Sequence, residues 1–227
     1  MTDMEDADAE ARARINWAGF EATEPGREPF DYLVMPGFVL PASCEAARLA
    51  FPPLEHGGVV PAPEHPEPAD ALDVLLAALR APHTTAMFSR KFGLDLDPRT
   101  LMITLRGRCR EMDGKIHTDS ESKVVTALIY LNESWPHAGG RLRLLRGPDD
   151  LDDMIAEVTP VDGTLIAFRR TDLSFHGHLP FEGVRRVIML NWMVDAAAAR
   201  REVRRHSISA GVKRLFSHAQ PRREGVG

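Results

Sequence analysis

The sequence predicts a mainly β protein with flanking helices, of the α+β class. From Leu101 onward, short runs with strand composition recur at regular intervals, and turn residues such as Gly139-Gly140 and Asp162-Gly163 fill the gaps. Upstream, residues 72–79 repeat leucine at helical spacing. This pattern indicates a β barrel or sandwich with helices packed outside it. The predicted strands are Leu101–Arg106, Lys115–Asp119, Val124–Asn132, Arg141–Leu145, Thr164–Phe168, Ser174–His178 and Arg185–Val194.

Composition limits the class of protein. The 227 residues are 44% hydrophobic and 27% charged, as expected of a globular chain with one substantial core. No apolar run approaches the ~20 residues that span a bilayer, and Met1–Glu10 lacks the features of a secretion signal. With only two cysteines, Cys44 and Cys109, a disulfide framework is excluded and a reducing compartment is favoured. We therefore expect a cytoplasmic protein.

The N-terminal elements follow from local signals. Residues 1–28 are polar and poorly patterned, and are interpreted as a flexible acidic segment, with order beginning near Phe30. Residues 29–100 are predicted to form a supporting region. It contains a strand ending at Pro36-Gly37, a helix from an N-cap at Ser43 to Leu49, and an amphipathic helix over 70–80.

The remaining chain divides into a predicted β core, residues 101–194, and a basic tail, residues 195–227. Within the core, Asp149–Glu157 is predicted to form one or two helical turns between strands. The tail is predicted to be helical. Nucleic-acid binding is not favoured, because no aromatic residues are interleaved with its arginines to stack on bases.

Metal-ligand residue types occur in two of the predicted strands. His117 and Asp119 lie two apart, so on a strand both side chains leave the same face. Downstream, either His176 or His178 offers a third ligand, since both also share a face. Two histidines and one carboxylate that leave coordination positions open are typical of non-haem iron(II) oxygenases.

An anion-binding residue follows on the next predicted strand. Arg185 and Arg186 point to opposite faces if the strand is regular, and either guanidinium could hold a carboxylate through two parallel hydrogen bonds. We favour Arg185.

As an ordered set, these residues resemble the iron(II)- and 2-oxoglutarate-dependent dioxygenases, in the branch similar to prolyl 4-hydroxylases. The motifs are His117-Thr118-Asp119, Tyr130-Leu131-Asn132, Gly139-Gly140-Arg141-Leu142, Pro160-Val161-Asp162-Gly163-Thr164-Leu165, and Ser174-Phe175-His176 followed by Pro180, Gly183 and Arg185. One departure is His178, at a position that is usually apolar in the family. Another is Glu111-Met112-Asp113, where relatives commonly carry a tyrosine.

The resemblance implies a double-stranded β-helix, also called a jelly roll. It implies that His117, Asp119 and His176 bind iron, that Arg185 binds the distal carboxylate of 2-oxoglutarate, and that Tyr130 is a second cosubstrate contact. The spacing to Arg185 favours His176 over His178. The implied cofactors are iron(II), 2-oxoglutarate and dioxygen, with ascorbate as an accessory reductant. The implied substrate is a prolyl side chain, an amino acid or another small molecule.

Two alternative functions stay open. One is a non-catalytic binding module that keeps the barrel. The other is a cupin-like metalloenzyme that uses no keto acid, against which stands the arginine. The sequence indicates no oligomeric state.

Overall fold

The computed structural model describes residues 13–54, 57–64 and 69–204. Its strands form two antiparallel sheets. A six-stranded sheet has the order β1-β7-β4-β9-β3-β2, and a three-stranded sheet has the order β6-β5-β8. The strands are β1 Tyr32–Met35, β2 Val60–Pro61, β3 Thr100–Cys109, β4 Lys123–Tyr130, β5 Leu142–Leu145, β6 Met154–Val158, β7 Leu165–Arg169, β8 His176–Gly177 and β9 Gly183–Met193.

The central strands of the large sheet are buried on both faces. On β4, Val125, Ala127 and Ile129 belong to the core beneath the helices, whereas Leu128 and Tyr130 belong to a second core that includes residues of the small sheet. This division follows from the two-residue period of a strand. The two sheets therefore enclose an interior, and the predicted jelly-roll core is confirmed.

The helices cover the outer face of the large sheet. They are α1 Trp17–Ala22, α2 Pro41–Leu49, α3 Ala71–Arg80 and α4 Pro82–Phe92, and residues 196–204 are also helical. The predicted amphipathic helix is confirmed in α3, where the Asp70 carboxylate accepts a hydrogen bond from the backbone N–H of Asp73 and the Asp73 carboxylate accepts one from that of Asp70. Among the described residues, no helix is long and apolar enough to cross a membrane.

Several N-terminal expectations need correction. Order begins well before Phe30, because α1 buries Phe20 against Phe38 and Phe88, and Ile15 bridges to Val39. Residues 1–12 of the predicted flexible segment lie outside the described residues. Helix α2 begins at Pro41 rather than after Ser43, since proline at the first helical position needs no backbone hydrogen bond. The four-part division of the chain stays a prediction.

Two further elements differ from prediction. One or two helical turns were predicted over Asp149–Glu157, but the second half of this segment lies in β6, because the backbone of β6 pairs with β5 from Leu142↔Val158 to Leu145↔Met154. Helix α4 was not predicted; it starts at Pro82, and it stops after Phe92 at the C-cap Gly93, whose φ of 62° is accessible to glycine at little cost. The predicted tail helix is seen only over residues 196–204, and the chain beyond 204 lies outside the described residues.

Candidate metal centre and anion pocket

His117 and His176 are brought together by a two-residue backbone bridge. The predicted strand Lys115–Asp119 is wrong, because His117 makes only an isolated bridge, exchanging backbone hydrogen bonds of 3.1 and 2.9 Å with His176. The bridge places the two imidazole centroids 4.4 Å apart. Bridging to strand β8, rather than regular strand structure in this segment, therefore positions the first histidine.

Both histidines are oriented in the same way. In each, Nδ1 lies close to the backbone carbonyl oxygen two residues earlier, at 2.8 Å from Lys115 and 2.9 Å from Ser174. A carbonyl only accepts, so Nδ1 carries the proton and Nε2 keeps its lone pair for a metal. Burial lowers the pKa of His176 to about 4 despite the attraction of Asp119, so this ring is neutral at pH 7.

Asp119 completes a group of three metal-ligand side chains. One donor atom from each of His117, Asp119 and His176 lies within 4.8 Å of the others. Burial would raise the pKa of Asp119, but Lys123, His176 and the hydrogen bonds from Lys123 and Thr126 lower it to about 2. The carboxylate is therefore ionised at pH 7. Two imidazoles and one carboxylate are a donor set that suits iron(II).

His178 does not join this group. Its Nδ1 donates to the Leu179 carbonyl at 2.8 Å, and its Nε2 lies 3.7 Å from the Cys109 sulfur. Its ring packs against Gly114, where any Cβ would collide with the imidazole. Of the two histidines that the sequence left open, the structure groups His176 with His117 and Asp119, while His178 supports the segment that leads to His117.

A cavity of about 340 Å³ links the three ligand residues to Arg185. Arg185 is 2% exposed, and it donates from Nε to the Gly140 carbonyl at 2.8 Å and from Nη2 to the Tyr130 hydroxyl at 3.1 Å. Its guanidinium also lies 5.0 Å from the centre of the Tyr130 ring. Among the described residues, no carboxylate lies within salt-bridge distance of Arg185. A buried charge without a counter-ion is costly, so this guanidinium is suited to receive an anion.

Arg186 points away from this cavity and does not line it. Its backbone N–H donates at 2.9 Å to the side-chain oxygen of Asn132, the last residue of the Tyr-Leu-Asn motif. The Asn132 amide also donates at 2.6 Å to the Pro160 carbonyl. Asn132 therefore connects β9 to the loop before β7. Tyr130 of the same motif contacts the cavity residue Arg185 through its hydroxyl.

The glycine pair of the Gly-Gly-Arg-Leu motif allows a close backbone approach. A Cβ on Gly139 would collide with the Pro180 carbonyl oxygen, and the Gly140 backbone N–H donates to the Leu179 carbonyl at 3.0 Å. The loop is thus held against the segment before β9. That contact presents the Gly140 carbonyl to Arg185 and fixes the guanidinium.

Several cavity residues were not predicted from the sequence, among them Lys123, Thr126 and Arg106. Lys123 Nζ donates to Asp119 at 2.7 Å, and Thr126 Oγ1 donates to the other carboxylate oxygen at 2.6 Å. Arg106 lines the cavity from β3. Counting back in twos along β4 from Tyr130 would have indicated Thr126, because residues 126, 128 and 130 share a face.

Comparison with known proteins agrees with this geometry. Residues 108–194 match the model of the 2OG-Fe(II) oxygenase superfamily. No curated protein sequence matches the chain. A prolyl-4-hydroxylase from Pseudomonas putida is similar in fold, with a TM-score of 0.53 and 22% identity over 79% of this chain and 93% of that one.

Two other solved structures are similar to the chain. The viral collagen prolyl hydroxylase of Paramecium Bursaria Chlorella virus-1, solved as a 2OG complex, gives a TM-score of 0.51 and 14% identity, covering 70% of this chain and 93% of that one. A prolyl 4-hydroxylase from Phytophthora capsici gives 0.52 and 18% identity, covering 82% of this chain and 65% of that one. At such identities the three structures establish the fold.

A jelly roll with a His-Asp-His group beside a buried arginine is the arrangement expected of a non-haem metal oxygenase. Residues 108–194, which contain the His-Asp-His group and Arg185, match the 2OG-Fe(II) oxygenase superfamily, and the fold of the chain is prolyl hydroxylase-like. The cofactors of this class are iron(II), 2-oxoglutarate and dioxygen, as predicted.

Proposed function

We propose that this protein is a 2-oxoglutarate-dependent hydroxylase in which His117, Asp119 and His176 bind iron(II) and Arg185 binds the distal carboxylate of 2-oxoglutarate. The observation that carries the proposal is the buried Arg185 guanidinium, which has no carboxylate partner among the described residues and shares one cavity with the three ligand residues. A metal site alone would not require a cation there. A site for a dicarboxylate that reaches from metal to guanidinium does.

The surrounding residues hold these groups in place. Thr126 and Lys123 orient the Asp119 carboxylate, and the carbonyls of Lys115 and Ser174 fix both imidazole rings. Bound iron(II) supplies the redox chemistry that couples decarboxylation of 2-oxoglutarate to oxidation of a substrate C–H bond. In the balanced reaction, 2-oxoglutarate, dioxygen and substrate give succinate, carbon dioxide and hydroxylated substrate.

The proposed substrate is a prolyl or other amino-acid side chain, or a small molecule. The Met112 side chain is 65% exposed and lines the same cavity as the ligand residues. An exposed apolar side chain beside a charged cavity suits a substrate that brings an apolar C–H group to the metal. Ascorbate stays an expectation, as an accessory reductant that keeps the iron in its ferrous state.

Succinate release tests the proposal. The protein is incubated with iron(II), 2-oxoglutarate and ascorbate, and succinate is measured by mass spectrometry for the wild type, Asp119→Ala and Asp153→Ala. Asp153 is a matched control, because its carboxylate is exposed and pairs with Arg146 away from the cavity. We expect succinate from the wild type and Asp153→Ala only. Equal release by Asp119→Ala would contradict the proposed metal site.

Two other results would favour the alternatives. If the protein retains no iron(II) anaerobically and 2-oxoglutarate does not raise its melting temperature, a non-catalytic binding module is favoured. If a substrate is oxidised at the same rate without 2-oxoglutarate, a cupin-like metalloenzyme is favoured.

A further inference from the structure

A second guanidinium lies beside Arg185 on the inner face of the large sheet. Arg106 on β3 pairs with Val187 on β9, two residues from Arg185. The register shifts between Arg106 and Arg108, so the placement of the two arginines does not follow from regular strand alternation. Both arginines line the cavity that contains the ligand residues.

The guanidinium of Arg106 lacks part of its hydrogen-bond and charge partners. Its side chain is only 24% exposed, and its buried Nε has no hydrogen-bond partner. The carboxylate nearest to it belongs to Asp113, at 3.8 Å. That carboxylate already accepts hydrogen bonds from Arg110, from the backbone N–H at 3.0 Å, from Nε at 3.2 Å and from Nη2 at 2.7 Å. The Asp113 carboxylate thus interacts with two guanidinium groups, and its contact with Arg106 is the longer and weaker one.

The electrostatic situation of Arg106 favours an additional anion. Burial lowers the pKa of Arg106, the charge of Arg185 lowers it further, and Asp113 opposes both effects. The like charges of Arg106 and the fully buried Arg185 repel each other. A carboxylate between them would relieve this repulsion and supply Arg106 with the partner that its Nε lacks.

We propose that Arg106 and Arg185 together form a two-guanidinium clamp for the distal carboxylate of the cosubstrate. This inference rests on the proposed function. A carboxylate offers about four lone-pair sites, enough for donors from both arginines. Arg106 is assigned to the cosubstrate rather than to a substrate because it pairs with β9 two residues from Arg185 and lines the same cavity as that guanidinium.

The test measures ligand binding rather than turnover. Calorimetric titrations use glutarate, a dicarboxylate that lacks the keto group, and 2-oxoglutarate with iron(II) under anaerobic conditions. The proteins are the wild type, Arg106→Gln, Arg106→Lys and Arg108→Gln. Arg108 is a matched control because it lies on the same strand but does not line the cavity.

We expect Arg106→Gln to raise the dissociation constants of both ligands by about tenfold or more, the factor lost with a charge-assisted hydrogen bond. Arg108→Gln should stay within about twofold of the wild type, since it removes the same charge farther from the ligand. Arg106→Lys should lose about threefold or more, because an ammonium keeps the charge but not the planar fork.

If the wild type binds both dicarboxylates and Arg106→Gln binds them with the same affinity, the clamp is overturned while the proposed function stands. If the wild type binds neither dicarboxylate, the proposed function fails and the clamp fails with it. If circular dichroism shows that Arg106→Gln does not fold, Arg106→Lys decides the question: affinity equal to wild type overturns the clamp, and weaker binding supports it.

Discussion

Replacing Arg185 by methionine distinguishes the effect of the buried charge on protein stability from its effect on 2-oxoglutarate binding. Methionine keeps an unbranched side chain against the Tyr130 ring while removing the charge and the hydrogen bonds to Gly140 and Tyr130. Losing hydrogen bonds to two buried acceptors costs about 1–3 kcal/mol each. Removing an uncompensated buried guanidinium returns several kcal/mol of desolvation energy. Because these contributions oppose each other, we expect the unfolding free energy without ligand to change by less than about 2 kcal/mol.

Arg143 provides the matched comparison. It is also buried, but it forms ion pairs with Asp152 at 2.6 Å and Glu157 at 2.7 Å. Arg143→Met removes a guanidinium that already has its counter-ions. It should therefore destabilise the protein more than Arg185→Met, while leaving 2-oxoglutarate binding unchanged, because Arg143 does not line the cavity.

Ligand-dependent melting gives the second measurement. At a 2-oxoglutarate concentration of about 100 times its Kd, the wild type gains about 2.7 kcal/mol, or roughly 5–10 °C for a chain of this size. Losing a buried charge pair with the ligand costs about 2 kcal/mol or more, so Arg185→Met should gain less than about 1 kcal/mol at the same concentration. Differential scanning fluorimetry with iron(II) under anaerobic conditions measures both shifts. A full ligand shift in Arg185→Met would refute the assignment of this residue.

Three further substitutions test the metal site, each by iron retained after anaerobic desalting. His176→Ala should lose iron and His178→Ala should keep most of it, because only His176 has a donor atom grouped with Asp119; the reverse would make His178 the ligand. Gly114→Ala should weaken iron retention and lower the melting temperature, since its φ of 91° is strained for alanine and its Cβ meets His178; wild-type values for both would contradict this support. Thr126→Val should reduce iron affinity by about 10–100-fold, the usual effect of losing a hydrogen bond behind a ligand; unchanged affinity would show that Lys123 orients Asp119 alone.

The candidate ligands could be read from the sequence because their signals are local. His117 and Asp119 belong to one short motif, and Tyr130 and Arg185 lie on strands whose two-residue period is visible in the residues themselves. Helix α3 was predicted for the same kind of reason, since its leucine spacing and its Asp70 cap lie within one segment. Each of these predictions depended on residues that are close together in the chain.

Tertiary structure decided what depends on pairing between distant segments. The bridge between His117 and His176 groups His176, rather than His178, with His117 and Asp119. Strand β6 forms because its backbone groups find partners on β5. Arg106 approaches Arg185 only because β3 lies beside β9 in the sheet. The alternation of side chains can be predicted from the residues of a single strand, but strand order and register depend on contacts across the whole chain. The sequence by itself therefore determined the class of chemistry, and the sheet determined which charges surround it.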